Sequence, residues 1–392
     1  MISGNQSETE LVRHTTRKLL EYCVRNDWAG HDPYDALNSR VFRALPFLNA
    51  KWIRLVLTQG FKRSPLNLRP LLLVPRTHNP KGLALFLSAL VKLSRVGLLD
   101  VDQQIRRLID LLLQSRTTSS SYSCWGYSFD WQTRTKLIPR GSPNIICTAF
   151  AANALLDAYE NGGDASCYEA AASAAQFILD ELYCEENDNA WFTYTQLERT
   201  QIHNANLLGA ALLCRVASCA GEDRLLAPAM RAAHFSVVRQ NKDGSWYYGE
   251  RDQPSQKWID NFHTGFNLCA LRNIGRFART DRFEINLDRG LRYYAASFFE
   301  CNGAPKYFHD RPYPFDIHSA AQAIITLLAL RDLNPEHVNL ARAVFRWSME
   351  KMWDDRGYFY YQKHRCGTNR IPYLRWGQAW MLLALAPLLE HD

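Results

Sequence analysis

An apolar segment rich in small residues recurs six times along the chain. The copies are "NPKGLALFLSALVKL", "SPNIICTAFAANALLDAY", "HNANLLGAALLCRVA", "DNFHTGFNLCALRNI", "DIHSAAQAIITLLAL" and "YLRWGQAWMLLALAPLL". They start at Asn79, Ser142, His203, Asp260, Asp316 and Tyr373, at successive spacings of 63, 61, 57, 56 and 57 residues. A period this regular marks an array of like supersecondary units. Each copy is apolar almost all round, as a helix buried on most sides must be. Between the copies run stretches such as "VDQQIRRLIDLLLQSR" and "NLARAVFRWSMEKMW", whose apolar residues fall on one stripe, the pattern of an outer helix with a wet face. The connections from outer to inner segment repeat as aromatic turns, among them "CWGYSFDW", "NAWFTYT", "DGSWYYG" and "RGYFYYQ". The predicted fold is all-α: an (α/α)6 toroid of six helical hairpins around a central cavity, in one domain spanning 1–392. Residues 26–78, proline-rich toward their end, are expected to be an irregular N-terminal elaboration.

A hydrophobic content of 47% with 22% charged residues is that of a soluble globular protein. The first residues contain no apolar leader-like core, and no run of about 18 apolar residues follows, so a cytoplasmic protein without a membrane span is expected. The ten cysteines are scattered singly, which favours reduced thiols over disulfides. The net charge of +7 is spread along the chain without the continuous basic stripe of a nucleic-acid binder, and favours an anionic partner only weakly.

Aligning the inner segments on their small-residue step gives "CTA", "HNA", "HTG", "HSA" and "RWG", which puts Cys147, His203, His263, His318 and Arg375 at one register. In a toroid these positions lie near the N-terminal ends of the inner helices, where free N–H groups favour anions. A lone histidine there is a cap or a core residue; three at equivalent positions point to a site. No local spacing of ligands supports a metal, and no cofactor is expected. Asp260 and Asp316 precede their histidines by three and two residues, which suits helix capping and equally suits orienting a histidine or acting as a base. Asp130, partly desolvated between Phe129 and Trp131, and Glu250, in the corresponding connection of the fourth repeat, are the other catalytic candidates. The predicted catalytic set is therefore Asp260, His263, His318, Asp130 and Glu250. The predicted binding set adds Asp32 and Asp35 from "HDPYDALNS", with Arg134, His203, Asn206, Asn261, Asp316, Arg375 and Gln378. Its aromatic members are Trp125, Tyr127, Trp131, Trp246, Tyr313 and Trp376, whose ring faces would stack on sugars.

The stretch "FSVVRQNKDGSW" resembles the QW motif of squalene–hopene and oxidosqualene cyclases, whose hairpins also form an α-toroid. The chain lacks the DxDD, DDxxD and Asp-x-Cys signatures of those enzymes and of the prenyltransferases, which leaves terpene chemistry as a remote alternative. Over nearly its full length the chain is similar to a family of six-hairpin toroids, through "HDPYDALNS", "SPLNLRPLL", "NPKGLALFLSA", "CWGYSFDWQTR" and "DNFHTGFN". That resemblance implies a role in surface-polysaccharide biosynthesis, with a carbohydrate substrate and other polysaccharide-assembly proteins as partners. The wider six-hairpin class implies glycoside hydrolase, polysaccharide lyase or sugar epimerase chemistry on an anionic, uronate-like glycan, with hydrolysis slightly favoured. A non-catalytic glycan-binding or assembly subunit is the alternative.

Overall fold

The computed structural model describes residues 4–390 except Pro46, Leu48, Arg134, Thr135 and 250–252. Its helices are α1 (Gly4–Arg25), α2 (Arg40–Arg43), α3 (Lys51–Arg63), α4 (Pro80–Arg95), α5 (Asp102–Gln114), α6 (Ile145–Glu160) and α7 (Ala165–Leu182). They continue as α8 (His203–Ala220), α9 (Leu226–Val237), α10 (Asn261–Phe277), α11 (Glu284–Ser297), α12 (Ile317–Ala329), α13 (His337–Met352) and α14 (Ala379–Leu389). The repeats are the inner ring: α4, α6, α8, α10, α12 and α14 pack in that order, and α14 closes on α4. Outside them lie α5, α7, α9, α11 and α13, while α1 closes the outer layer against α14. This is an (α/α)6 toroid.

Small residues set the spacing of the inner ring. Gly265 faces Gln322 and Thr326 of α12 so closely that an added Cβ would lie 2.7 Å from the Thr326 hydroxyl. Buried alanines of α6 and α8 let adjacent axes approach in the same way. Several of the aromatic turns are short antiparallel hairpins rather than plain loops, for example Tyr183–Glu186 with Asn189–Phe192 and Trp353–Asp354 with Tyr358–Phe359. Reversing the chain between an outer and an inner helix leaves backbone groups without helical partners. The hairpin ladder satisfies them while its aromatic residues cover the helix ends. In the fourth unit the Trp246 indole donates to the Ser236 carbonyl at 2.9 Å, and Gln240 donates to the carbonyls of Gly244 and Asn286, each at 2.9 Å. Residues 26–78 contain a 3-10 turn (Asp35–Asn38), α2 and α3, and lie beside the N-terminal ends of the inner helices.

The packing of Trp246 generates a stability prediction. It is 2% exposed and lies against Gly290 of α11. Trp246→Ala is expected to lower the unfolding free energy by about 3–5 kcal/mol, measured by urea denaturation.

Candidate functional site

A cavity of about 620 Å³ opens at the N-terminal ends of the inner helices. Side-chain caps define its floor. Asn79 accepts from the Lys81 N–H at 3.1 Å, Asn144 from Cys147 at 2.9 Å, Asp260 from His263 at 2.9 Å and Asp316 from His318 at 2.8 Å. In each case a carboxylate or amide satisfies an N–H that the helix itself leaves free. The residue whose N–H is capped is the one at the repeated register, so capping and presentation of the ring side chain are one arrangement.

Asp260 does more than cap. Its Oδ2 accepts from His263 Nδ1 at 2.7 Å and from the Trp258 indole at 2.9 Å, and its carboxyl is 1% exposed. The carboxylate oxygen on Nδ1 fixes the ring of the half-buried His263 and leaves Nε2 as the nitrogen without that contact. Nε2 makes no hydrogen bond among the described residues, and the ring lines the cavity against Tyr248, 4.6 Å away.

His318 is different. It is sandwiched between Phe262 and Trp380, each 4.5 Å away, with Trp376 edge-on at 4.8 Å. Neither ring nitrogen has a partner among the described residues, although both are buried. Burial first, then the nearby charges of Lys81 and Arg375, pushes its pKa well below the ordinary 6.5, so the imidazole is neutral at pH 7. Two unsatisfied nitrogens in a packed site cost stability unless a solvent molecule or ligand meets them.

Lys81 completes the register. It occupies the same step in the first repeat, "KGL", and was not singled out in the alignment of the other five. The visible signal is a lysine near the start of an otherwise apolar inner segment. Its ammonium sits 4.5 Å from the Phe150 ring centroid and just over 5 Å from those of Phe266 and Trp380. Burial, then repulsion from Arg375, pulls its pKa down to about 7. Arg375 reaches the cavity while held from behind by Asp32, at 2.5 and 2.8 Å.

Of the predicted site residues, the cavity brings together Asp260, His263, His318, Arg375, Tyr127, Trp131 and Trp376. Others lie outside its wall. His203 is buried against the Ser236 hydroxyl at 3.0 Å, and burial drives its pKa down to about 3. The carboxyl of Asp130 is bound by Arg43 at 2.9 Å and by the Arg140 N–H at 2.7 Å. Asp35 pairs with Arg69 at 2.7 Å, behind the wall together with Asp32. Asp316 is fully buried, with Gln362 at 2.6 Å and the Trp376 indole at 3.0 Å, and burial raises its pKa to about 6. Asn206 accepts from the Phe192 N–H of the preceding hairpin and donates to Ala232 and Ser236 of α9, while Gln378 binds both backbone polar groups of Phe359. Asn261 accepts from the Tyr294 hydroxyl, and Trp125 and Trp246 each bind an outer-helix carbonyl. Tyr313 is exposed on a strand. Arg134 and Glu250 lie outside the described residues. The cavity adds residues not anticipated: Tyr34, Lys62 and Arg63 from the 26–78 segment, and Tyr194, Tyr248 and Tyr307 from the aromatic turns.

The sequence matches no family model, and no curated protein matches it. Solved structures do share its fold. A cellobiose 2-epimerase from Bacillus thermoamylovorans aligns with TM-score 0.64 at 10% identity, over 81% of this chain and 90% of its own. The GH76 alpha-mannanase BT2949 of Bacteroides thetaiotaomicron aligns with TM-score 0.59 at 16% identity, over 80% and 85%. A possible GH105 member from Salmonella enterica aligns with TM-score 0.59 at 13% identity, over 80% and 83%. These likenesses place the chain among (α/α)6 toroids.

The depressed pKa of Lys81 predicts a pH dependence of stability. Between about 7 and its ordinary 10.5 the unfolded chain keeps a proton on Lys81 that the folded chain has released. Its contribution therefore rises with pH across that window, and the burial penalty is fully present below it. Lys81→Met is expected to be more stable than the parent at pH 6, with the difference shrinking toward pH 10. Thermal unfolding of both proteins across that range measures it.

Proposed function

We propose that the protein is a carbohydrate-active enzyme that moves a proton at a carbon of an anionic, uronate-like sugar. The observation that carries this reading is the pairing, in one cavity, of an Asp260-oriented His263 with a buried, neutral and unpartnered His318. His263 Nε2 would act as the base toward the proton next to the sugar carboxylate. That proton is weakly acidic because the carbanion pushes charge onto the carboxylate oxygens. Lys81 and Arg375 would neutralise the charge, and neutral His318 would donate a hydrogen bond without requiring a further ionisation. Tyr127, Trp131 and Tyr248 offer ring faces for the apolar side of a sugar. Lys62, Arg63, Lys81 and Arg375 face one carboxylate, Asp260, among the described lining residues, a balance that suits an anion.

Returning the proton to the opposite face would give epimerisation, and loss of the neighbouring substituent would give β-elimination. Hydrolysis by two carboxylates, slightly favoured from sequence, is less well supported: Asp260 has no second carboxylate beside it among the described lining residues. The structurally similar epimerase and glycoside hydrolases support a sugar as substrate, and the reaction is inferred from the side chains. A purely sugar-binding role would not need a carboxylate-oriented histidine beside an unsatisfied one.

The test is incubation with uronate-containing and neutral oligosaccharides in deuterated water, followed by NMR and mass spectrometry. Deuterium next to the carboxylate, with an epimerised or unsaturated product, is expected. Cleavage without exchange would favour hydrolysis, and no change across the panel would reject the enzyme reading. His263→Ala is expected to reduce turnover by about 100-fold or more with the fold intact. Asp260→Asn keeps a capping side chain but removes the carboxylate that faces Nδ1, so turnover should fall while the melting temperature stays near that of the parent.

A further inference from the structure

The 26–78 segment carries a surface that the cavity does not explain. Between Arg40 and Arg76 the sequence has eight basic residues and no acidic one; indeed none occurs from residue 36 to 99. The same 37 residues hold seven of the fifteen exposed large apolar side chains among the described residues: Val41, Phe47, Trp52, Val56, Leu66, Leu71 and Leu73. Trp52 is 67% exposed and Leu71 76%. Several of the basic groups are internally engaged, such as Arg69 on Asp35 and Arg43 on Asp130. Arg40, Lys51 and Arg63 are exposed and make no ion pair among the described residues.

Helix α3 organises this surface. Its inner face buries Thr58 and Phe61, and Leu57 packs on the small cluster formed by Ala36, Phe61 and Val74. By helical geometry Trp52, Val56, Gln59 and Arg63 fall along its opposite, exposed stripe. Gln59 and Arg63 at the far end of that stripe line the cavity. One helix face thus runs from an exposed tryptophan to the entrance of the site.

We propose that this face docks on an anionic lipid bilayer, with Trp52 and Val56 entering the interface and Arg40, Lys51 and Arg63 meeting the headgroups. Two exposed apolar side chains, one of them a tryptophan, on a helix that starts and ends in unpaired basic residues suit an interfacial helix. A second copy of this chain fits less well, since a two-fold contact through the patch would set these free cations against their own kind. Docking would turn the cavity entrance toward the membrane, so that the glycan would be one displayed at the bilayer surface. That last step rests on the function proposed above; bilayer binding does not, and it is measured without sugar.

The experiment is co-sedimentation of the full chain with phosphatidylglycerol-containing vesicles and with vesicles of phosphatidylcholine alone. Binding to the anionic vesicles, at least tenfold stronger than to the neutral ones and weakened by salt, is expected. Trp52→Ser with Val56→Ser should reduce it at least tenfold without shifting the melting temperature, because both side chains are exposed. Lys51→Gln with Arg40→Gln should weaken it and flatten its salt dependence. Three results would overturn the proposal: no sedimentation with anionic vesicles, equal binding to neutral ones, or undiminished binding by both double variants. A dimer in analytical ultracentrifugation that dissociates on Trp52→Ser and Val56→Ser would assign the face to a second copy instead.

Discussion

Six buried helices that converge with their N-termini at one level bring together polar groups that a packed interior otherwise excludes. Each terminus presents N–H groups without helical partners, and the local field favours negative charge. In four of the six units the chain supplies an Asn or Asp cap at that point, and three of the residues whose N–H is capped, Lys81, His263 and His318, line the cavity. The chemistry of the cavity follows from this requirement. Side chains that the fold needs as caps bind the backbone N–H groups of Lys81, His263 and His318, and one of them, Asp260, also orients the His263 ring.

The same constraint explains why the 26–78 segment is tied into the ring. Arg375 is 5% exposed and would be an uncompensated buried cation without Asp32, which it contacts through two nitrogens. Asp35 in turn binds fully buried Arg69 and accepts from the Asp32 backbone N–H at 2.9 Å. Breaking one partner of such a buried pair costs on the order of 3–5 kcal/mol, so the network fixes the segment against the inner ring. The segment therefore contributes both wall and entrance.

The architecture was legible because burial of the inner helices on nearly every side leaves a periodic apolar signal that no exposed helix would show. The capping roles of Asp260 and Asp316 were legible for a similarly local reason, since an N-cap must sit two or three residues before the N–H it accepts. Whether a polar residue faces the cavity or the hairpin behind it depends on one turn of helix, and spacing does not resolve that. Asn206 and Gln378, one turn after His203 and Arg375, bind the preceding hairpins and, for Asn206, outer helix α9, and not the cavity. Asp130 looked desolvated between Phe129 and Trp131, yet Arg43, remote in sequence, meets its carboxyl. Lys81 was hidden because buried lysines are rare, although its place in the repeat was plain.

The two histidines at the floor show how one register supports unlike behaviour. Both follow a capping aspartate, but a difference of one residue in spacing changes what the carboxylate can reach. Three residues separate Asp260 from His263, and Oδ2 reaches the ring nitrogen. Two separate Asp316 from His318, and the carboxylate turns away to Gln362 and Trp376, leaving the imidazole between aromatic faces. The first histidine is oriented by its carboxylate at the cavity wall; the second is desolvated and held neutral. Two like groups with different partners and different burial are what a division of labour between them requires. Here a single-residue difference in cap spacing between successive repeats produces it.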